Sequence, residues 1–505
     1  MSRDGVAAWS ANSSRRYKVR VASDRETRIA LARARLVRIR ILCATVARWM
    51  RRWVPHVMRL IASVCLCMFT QPALDATPHE ASPAYGLAAR TSPPPYLRMP
   101  RGSRGGFPRL LSQTGAFADT RNLVASPGLI PYDLNVAFWS DGADKRRWAA
   151  VPRGSIGFAP AGDWTFPPGS VFIKTFELPV DAANPGMRRR LETRLLVRDE
   201  RGGVYGLVYK WRSDNSDAEL LDTGLTEDVP VRTSTGETRS QPWYYPSRQD
   251  CLECHNRHTA GILGISTRQL NRAFTYPSGV SGNQLQAWSQ LGLFDRSLSG
   301  TDVSGLTRLA AAEDATRSLE DRARSYLDAN CSQCHRPGST VASFDARFDT
   351  PRDRQGLIDG RVLIDERIDR ARVIAPNDIW RSIAFMRVNT IGDIRMPPLA
   401  RQTIDVRGVG LLREWITSLP GRPVVEPPQI APPGGAYGAP VEVSLHDAEP
   451  GAEIRYTLDG SLPTASDARY EGPVKVTGST VLRARAFKDG YTRSIVSQAI
   501  FIVGE

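Results

Sequence analysis

The amino-acid sequence predicts a multidomain protein: an N-terminal antiparallel β sandwich or jelly roll, an all-α region, and a small C-terminal β sandwich. Three observations support this order. Short β-rich runs fill residues 111–245, the pentapeptide Cys-x-x-Cys-His then occurs twice, and a proline-rich segment precedes a second set of alternating runs. The 505 residues are enough for several domains.

The first 76 residues have the features of an arginine-rich leader and signal peptide. They contain 15 basic and 4 acidic residues, which is +11 of the net charge of +15. An apolar run at 60–69 follows three arginines and precedes small residues near Ala73 and Ala76, as at a cleavage site. This run is short for a membrane span, although an uncleaved anchor stays open. We expect a periplasmic or otherwise exported protein that contacts the membrane only through this signal.

The arginines ahead of the signal also match a nucleic-acid-binding arm. A true start at Met50 or Met58 instead of Met1 is the simpler explanation, because the chain beyond residue 76 carries a net charge of only +4. We therefore expect no nucleic-acid partner.

Residues 111–245 alternate in short runs rich in Val, Ile, Thr, Tyr, Phe and Trp, for example at 170–176, 191–197 and 204–211. Gly202-Gly203 lies between the last two runs, as in a hairpin turn. These runs predict the first β sandwich or jelly roll. The segment contains no histidine or cysteine, so we expect no metal site within it.

The two Cys-x-x-Cys-His pentapeptides begin at Cys251 and Cys331. This spacing is the attachment signature of haem c, in which two thiols bond the vinyl groups and the histidine binds iron. On a helical turn the three side chains share one face. The sequence therefore predicts two covalent haems c. The thioether residues are Cys251, Cys254, Cys331 and Cys334, and the proximal iron ligands are His255 and His335.

Zinc and disulfides are the alternatives for the two cysteine pairs. A zinc site also uses Cys-x-x-Cys pairs, but 76 residues separate Cys254 from Cys331, which is longer than most zinc-ribbon spacers. Disulfides form outside the cytoplasm. Neither alternative explains why a histidine follows each pair.

The second motif lies in a recognisable setting. Apolar residues recur at helical spacing from Leu319 into Cys331, Met396 precedes two prolines, and a capped helix is predicted at 406–419. Residues 316–420 thus resemble a class I cytochrome c domain. The resemblance implies that Met396 is the distal ligand of the second haem, and that residues 246–420 form an all-α cytochrome c-like dihaem region.

The first motif has no such Met-Pro loop, since no methionine lies between Met187 and Met386. Met187 is a weak candidate for its distal ligand, because it lies in a turn-like, arginine-flanked segment. Met99, Met386, a residue of the β domain and an open position remain alternatives.

The last 70 residues follow a linker with six prolines in the 16 residues 420–435, whose stiffness predicts a separate module. They resemble the C-terminal β sandwich of chitobiase-type and hexosaminidase-type enzymes. The residues that carry the resemblance are 454–464, Tyr470, 482–487, Gly490 and Ser494. It implies an accessory module with contact to carbohydrate or a cell surface.

Residues 110–420 as a whole resemble exported bacterial dihaem c-type cytochromes with a β-rich N-terminal half. The motifs are 129–135, 191–194, 251–255, 263–265 and 269–271. The resemblance implies architecture more than activity. We expect one-electron transfer with a redox partner protein; a peroxidase-like dihaem enzyme with an open first haem, and an extracellular scaffold, are the alternatives.

The predicted domain boundaries follow from these features. They are leader 1–76, linker 77–110, β sandwich 111–245, first haem region 246–315, second haem domain 316–420, proline-rich linker 421–435 and accessory module 436–505.

Overall fold

A six-stranded antiparallel sheet forms the N-terminal half of the chain, which we describe from a computed structural model. Its strands follow one another in sequence order. They are β3 (Ile130–Tyr132), β4 (Asp144–Ala150), β5 (Val171–Pro179), β6 (Arg188–Arg198), β7 (Val204–Trp211) and β8 (Ala218–Leu220), and a small pair, β1 (Phe117–Asp119) and β2 (Val124–Ala125), precedes them. Gly202 turns the chain between β6 and β7 with a φ of 80°, a conformation that glycine adopts without strain.

The structure describes Tyr85, Leu87 and residues 93–152, 156–259, 261–339, 343–399, 401–447 and 449–504. The predicted leader and signal peptide at 1–76, with the alternative starts Met1, Met50 and Met58, lie outside the described residues. Among the helices of the described residues, none combines the length and the apolar character that crossing a membrane requires.

Both faces of this sheet are covered, but not by a second sheet of similar size. One face packs on the segment around Tyr96, Met99 and Leu111. The other face packs on the hairpin of β9 (Leu225–Arg232) and β10 (Thr238–Tyr245) and on residues from 262 to 306. The predicted sandwich or jelly roll is therefore a single meander sheet with helices, loops and a hairpin around it.

The all-α cytochrome c-like region predicted for residues 246–420 is wrong. It contains a strand pair, and its helices are short and separated by long irregular stretches, while β structure prevails in the described residues as a whole. The elements are α1 (Arg248–Cys254), α2 (Thr267–Leu270), β11 (Ala273–Thr275), β12 (Ser281–Asn283), α3 (Gln284–Gln290), α4 (Gly300–Ser304), α5 (Leu319–Cys331), α6 (Ile383–Val388) and α7 (Val406–Ser418).

Side chains that bond the backbone explain why the stretch between α5 and α7 is mostly irregular. The Asp345 carboxylate accepts from the Arg347 amide at 3.0 Å and from the Thr350 hydroxyl at 2.6 Å. Asp378 accepts from the amides of Trp380 and Arg381 at 3.1 and 3.0 Å. Such bonds satisfy backbone groups in loops and compete with helix formation.

Helices α5 and α7 are the two long helices of this region, and they pack against each other. A Cβ atom added to Gly408 of α7 would overlap the ring of Tyr326 on α5, so glycine permits the close approach. Their shared core includes Ala323, Leu412 and Trp415. This contact supports the helix that leads into the second motif.

The C-terminal module consists of two sheets, one ordered β13-β15-β18 and the other β14-β20-β19-β16-β17. The strands are β13 (Gln429–Ala431), β14 (Gly435–Tyr437), β15 (Val441–His446), β16 (Glu453–Thr457), β17 (Ala468–Arg469), β18 (Val474–Val476), β19 (Thr480–Phe487) and β20 (Ser497–Val503).

The proline-rich linker does not hold this module apart, contrary to the prediction from its stiffness. Asp369 forms ion pairs with Arg485 and Arg493 of the module at 3.2 and 3.3 Å. The Arg381 guanidinium donates to the carbonyl oxygens of Arg493 and Ser494. The buried Arg381 and Arg485 therefore join the module to the segment that carries the second motif.

Candidate functional site

The first motif lies on α1 and its C-terminal cap. Ser247 and Asp250 cap the helix reciprocally: the Ser247 hydroxyl accepts from the Asp250 amide at 3.2 Å, and Asp250 accepts from the Ser247 amide at 2.8 Å. The His255 amide donates to the Cys251 carbonyl at 2.9 Å. The cap thus starts one helical turn that carries both cysteines and the histidine.

The sheet approaches this turn most closely at Gly206 of β7. A Cβ atom on Gly206 would lie 2.7 Å from the Cys251 sulfur, so a side chain there would displace the motif. Gly206 pairs with Leu196 of β6. Leu196 is only partly buried although it lies in a central strand, and it borders the apolar cluster that contains Ile262. The sheet therefore presents an apolar surface next to the Cys251 thiol.

The His255 imidazole is oriented by a backbone hydrogen bond. Its Nδ1 lies 2.9 Å from the Gly261 carbonyl oxygen, which requires a proton on Nδ1 and leaves Nε2 with a lone pair. Burial, with smaller contributions from the cations Lys174 and Arg194, lowers the pKa of His255 to about 4, although the hydrogen bond to Gly261 acts in the opposite direction. A neutral imidazole with its Nδ1 proton engaged is the form that binds a metal through Nε2.

The second motif continues from α5. The His335 amide donates to the Cys331 carbonyl at 2.9 Å, as in the first motif. The imidazole stacks on Phe344 with ring centroids 4.2 Å apart and planes 13° from parallel. Burial lowers the pKa of His335 to about 4, with a smaller contribution from Arg387. Its buried Nδ1 has no hydrogen-bond partner among the described residues.

The two motifs meet at their second cysteines. The Cys254 and Cys334 side chains lie close enough for their interaction to raise the pKa of Cys254 and to lower that of Cys334 to about 7. Arg336, next to the second motif, donates to the His258 carbonyl at 3.4 Å and pairs with Asp163 at 2.6 Å. The pentapeptides, with 75 residues between them in the chain, thus form one site.

Buried ion pairs hold the two motif segments in this arrangement. Arg268 of α2 bonds Asp328 of α5 at 3.0 Å and Asp349 at 2.7 Å. The Asp328 carboxylate also accepts from the Phe348 amide at 2.8 Å. Because Asp328 is buried, removal of Arg268 would leave its carboxylate without a cationic partner.

Met396 lies in the neighbourhood of the second motif. Its amide donates to the Arg387 carbonyl at 2.9 Å, and the charge of Arg387 acts on the His335 imidazole. Its side chain is partly buried. The structure therefore brings the segment of Met396 towards His335.

The three methionines considered as distal ligands at the first motif lie elsewhere in the structure. Met187 is 52% exposed at the turn before β6, nine residues from Leu196, which corresponds to about 30 Å along a strand. Met99 packs in the core on the opposite face of the sheet from Gly206. Met386 belongs to α6, in the segment of the second motif.

The residues of both motifs fit covalent haem. All four thiols are free of disulfides, and burial raises the pKa of Cys331 to about 12. Each histidine is partly buried and neutral, and each follows its cysteines on a helical turn. Within the described ranges, no three or more His, Cys, Asp and Glu side chains are grouped to hold a bare metal ion.

Comparison with known proteins supports the interpretation of the C-terminal module. Residues 432–498 match the family model of the chitobiase/beta-hexosaminidase C-terminal domain. No curated protein and no solved structure is significantly similar to the chain. These comparisons give no evidence for the cytochrome resemblance of residues 110–420, which therefore stays a prediction.

Sequence reasoning missed the sheet residues that face the first motif. Gly206 had a signal, because a glycine inside a β-rich run indicates close approach of another segment. Lys174 and Arg194 had no comparable signal. The hydrogen bond of His255 to Gly261 also depends on a turn that the spacing of the motif does not reveal.

Proposed function

We propose that this protein is an exported dihaem c-type cytochrome that carries single electrons between partner proteins. The observation that carries the proposal is the meeting of the two Cys-x-x-Cys-His motifs at Cys254 and Cys334. Two haems attached there would have adjacent edges, which suits electron exchange between them. The half-buried, neutral imidazoles of His255 and His335 support iron binding at both positions.

In this proposal the chain supplies the attachment and the environment. Cys251, Cys254, Cys331 and Cys334 would hold the two haems through thioether bonds to their vinyl groups. The haem iron would supply the one-electron redox chemistry. His255 and His335 would be the proximal ligands and Met396 the distal ligand of the second haem. Attachment takes place after export, which supports a periplasmic or otherwise exported location.

A peroxidase-like dihaem enzyme is the second candidate. It is favoured by the positions of Met99 and Met187, neither of which lies near the first motif. A first haem without a methionine ligand would leave its distal side to the sheet or to a substrate. The C-terminal module adds a separate proposal: contact with carbohydrate, which its family match supports.

Three measurements on the exported protein test these proposals. Haem staining of a denaturing gel and the intact mass should give two covalent haems per chain. A protein of apo mass would overturn the proposal. Carbon monoxide added to the reduced protein then separates the candidates: slow or absent binding supports the carrier, and rapid binding at one haem per chain supports the enzyme.

A further inference from the structure

Three cations converge on one aromatic ring on the sheet face that carries Gly206. The Lys145 and Lys174 ammonium nitrogens lie 5.8 and 5.2 Å from the centre of the Phe176 ring, and the Arg194 guanidinium carbon lies 4.5 Å from it. Lys145 pairs with Phe176 across β4 and β5, and Lys174 pairs with Arg194 across β5 and β6. The cluster therefore occupies the middle of the sheet.

The two lysines of this cluster lack carboxylate partners. Arg194 bonds Glu192 at 2.6 and 2.9 Å. Lys145 donates to the Ala143 carbonyl at 3.1 Å, and in the described part of the chain no carboxylate oxygen lies within 4.0 Å of Lys145 or Lys174. Burial lowers the pKa of Lys174 to about 7 and holds that of Lys145 well below its ordinary value. Such uncompensated cations are costly unless an anion joins them.

The distance from the first motif to this cluster is comparable to the span of a haem from its thioether edge to its propionate carboxylates. From Gly206 to Phe176 the sheet runs two strand spacings across and four residues along, about 16 Å. The partly buried Leu196 lies between them. Lys145 also lines a cavity of about 360 Å³, together with Arg147 and Glu177. A polar group of a ligand can reach the lysine through this cavity.

We propose that Lys145 and Lys174 bind the two propionate carboxylates of the haem held by the first motif. The inference rests on the proposed function. Cys251 would hold the thioether edge of the ring at Gly206, and the opposite edge would carry its two negative charges to the two unpaired ammonium groups. The two propionates and the two lysines are equal in number and opposite in charge.

The test uses the full exported chain with single substitutions and a spectroelectrochemical titration of both haems. Lys174→Met and Lys145→Met should each lower one of the two reduction potentials, because a nearby cation favours the reduced haem. The other potential should stay unchanged. Lys174→Arg keeps the charge and should keep the potential. Lys475→Met, at an exposed position of β18, is the matched control and should leave both potentials unchanged.

Other outcomes would overturn the inference. Unchanged potentials in both methionine variants would show that the lysines do not face the propionates. Lys174 could instead bind the first iron itself; then Lys174→Arg, which preserves charge but cannot bind iron, would give a high-spin haem that binds carbon monoxide. If Lys174→Met does not fold, the potentials of Lys145→Met and Lys174→Arg still decide whether the lysines bind the propionates. A wild-type protein without covalent haem would instead refute the proposed function, which is a separate result.

Discussion

The two copies of one pentapeptide lie in different surroundings. The first lies on a helix of seven residues and its C-terminal cap, packs on Gly206 of the sheet and is faced by Lys174 and Arg194. The second follows the 13-residue helix α5, and its histidine stacks on Phe344. One His255 ring nitrogen bonds a carbonyl, whereas the corresponding nitrogen of His335 has no partner in the described residues.

This difference shows which properties are local and which are not. The spacing of the motif suffices to place two thiols and an imidazole on one turn. Distant parts of the chain determine the polarity around each motif and the hydrogen bonds of its histidine. They also supply any residue that would bind the iron opposite that histidine. Two identical attachment motifs should therefore hold haems of different potential.

The largest expected effect comes from removing one pair of cysteines. Cys251→Ala with Cys254→Ala should remove one covalent haem and leave one, because the two thioether sites are separate. Cys331→Ala with Cys334→Ala should do the same at the other motif. The intact mass measures the haem count. Loss of both haems from either variant would show that attachment at the two motifs is coupled.

Replacing the proposed methionine ligand should alter only the second haem. Met396→Ala should abolish the weak absorption band of sulfur-ligated ferric haem and lower one potential, because a thioether ligand favours the reduced iron. Met187→Ala is the matched control, since Met187 is 52% exposed in the turn before β6. An unchanged spectrum of Met396→Ala would assign the distal position to another residue.

Two glycines test the two surroundings independently. Gly206→Ala should press on the Cys251 sulfur and reduce haem attachment at the first motif alone. Gly408→Ala should force Tyr326 from its place between α5 and α7 and affect the second motif alone. Each substitution should lower the free energy of unfolding by about 1–3 kcal/mol, measured by urea denaturation. Gly472→Ala, where a Cβ meets open space, is the control.

The smallest expected effect lies at the contact of the C-terminal module. Asp369→Asn would leave the buried Arg485 without its partner and should cost about 1–2 kcal/mol of stability, because Asp369 is partly exposed. Asp359→Asn, whose carboxylate is 71% exposed, should change the urea midpoint little. Equal midpoints for both variants would indicate that the module contributes nothing to the rest of the chain.

Sequence patterns predicted the elements that depend on neighbouring residues. The β-rich runs became strands, and the helical spacing before Cys331 and after Asp405 became α5 and α7. The all-α region failed because two helices were extrapolated over loops such as those around Asp345 and Asp378. These loops are stabilised by bonds from side chains to the backbone, which periodicity cannot detect.

The sequence by itself determined the two pentapeptides, the β-rich region at 111–245 and the C-terminal module. Each of these depends on local spacing or on alternation of apolar and polar residues. Only the tertiary structure decided that Cys254 meets Cys334 and that Gly206 supports Cys251. Tertiary structure alone also places Lys145 and Lys174 at Phe176, with no carboxylate partner among the residues that the structure describes. The physical reason is that these contacts join strands, helices and loops far apart in the chain, and their geometry follows from packing and buried charge.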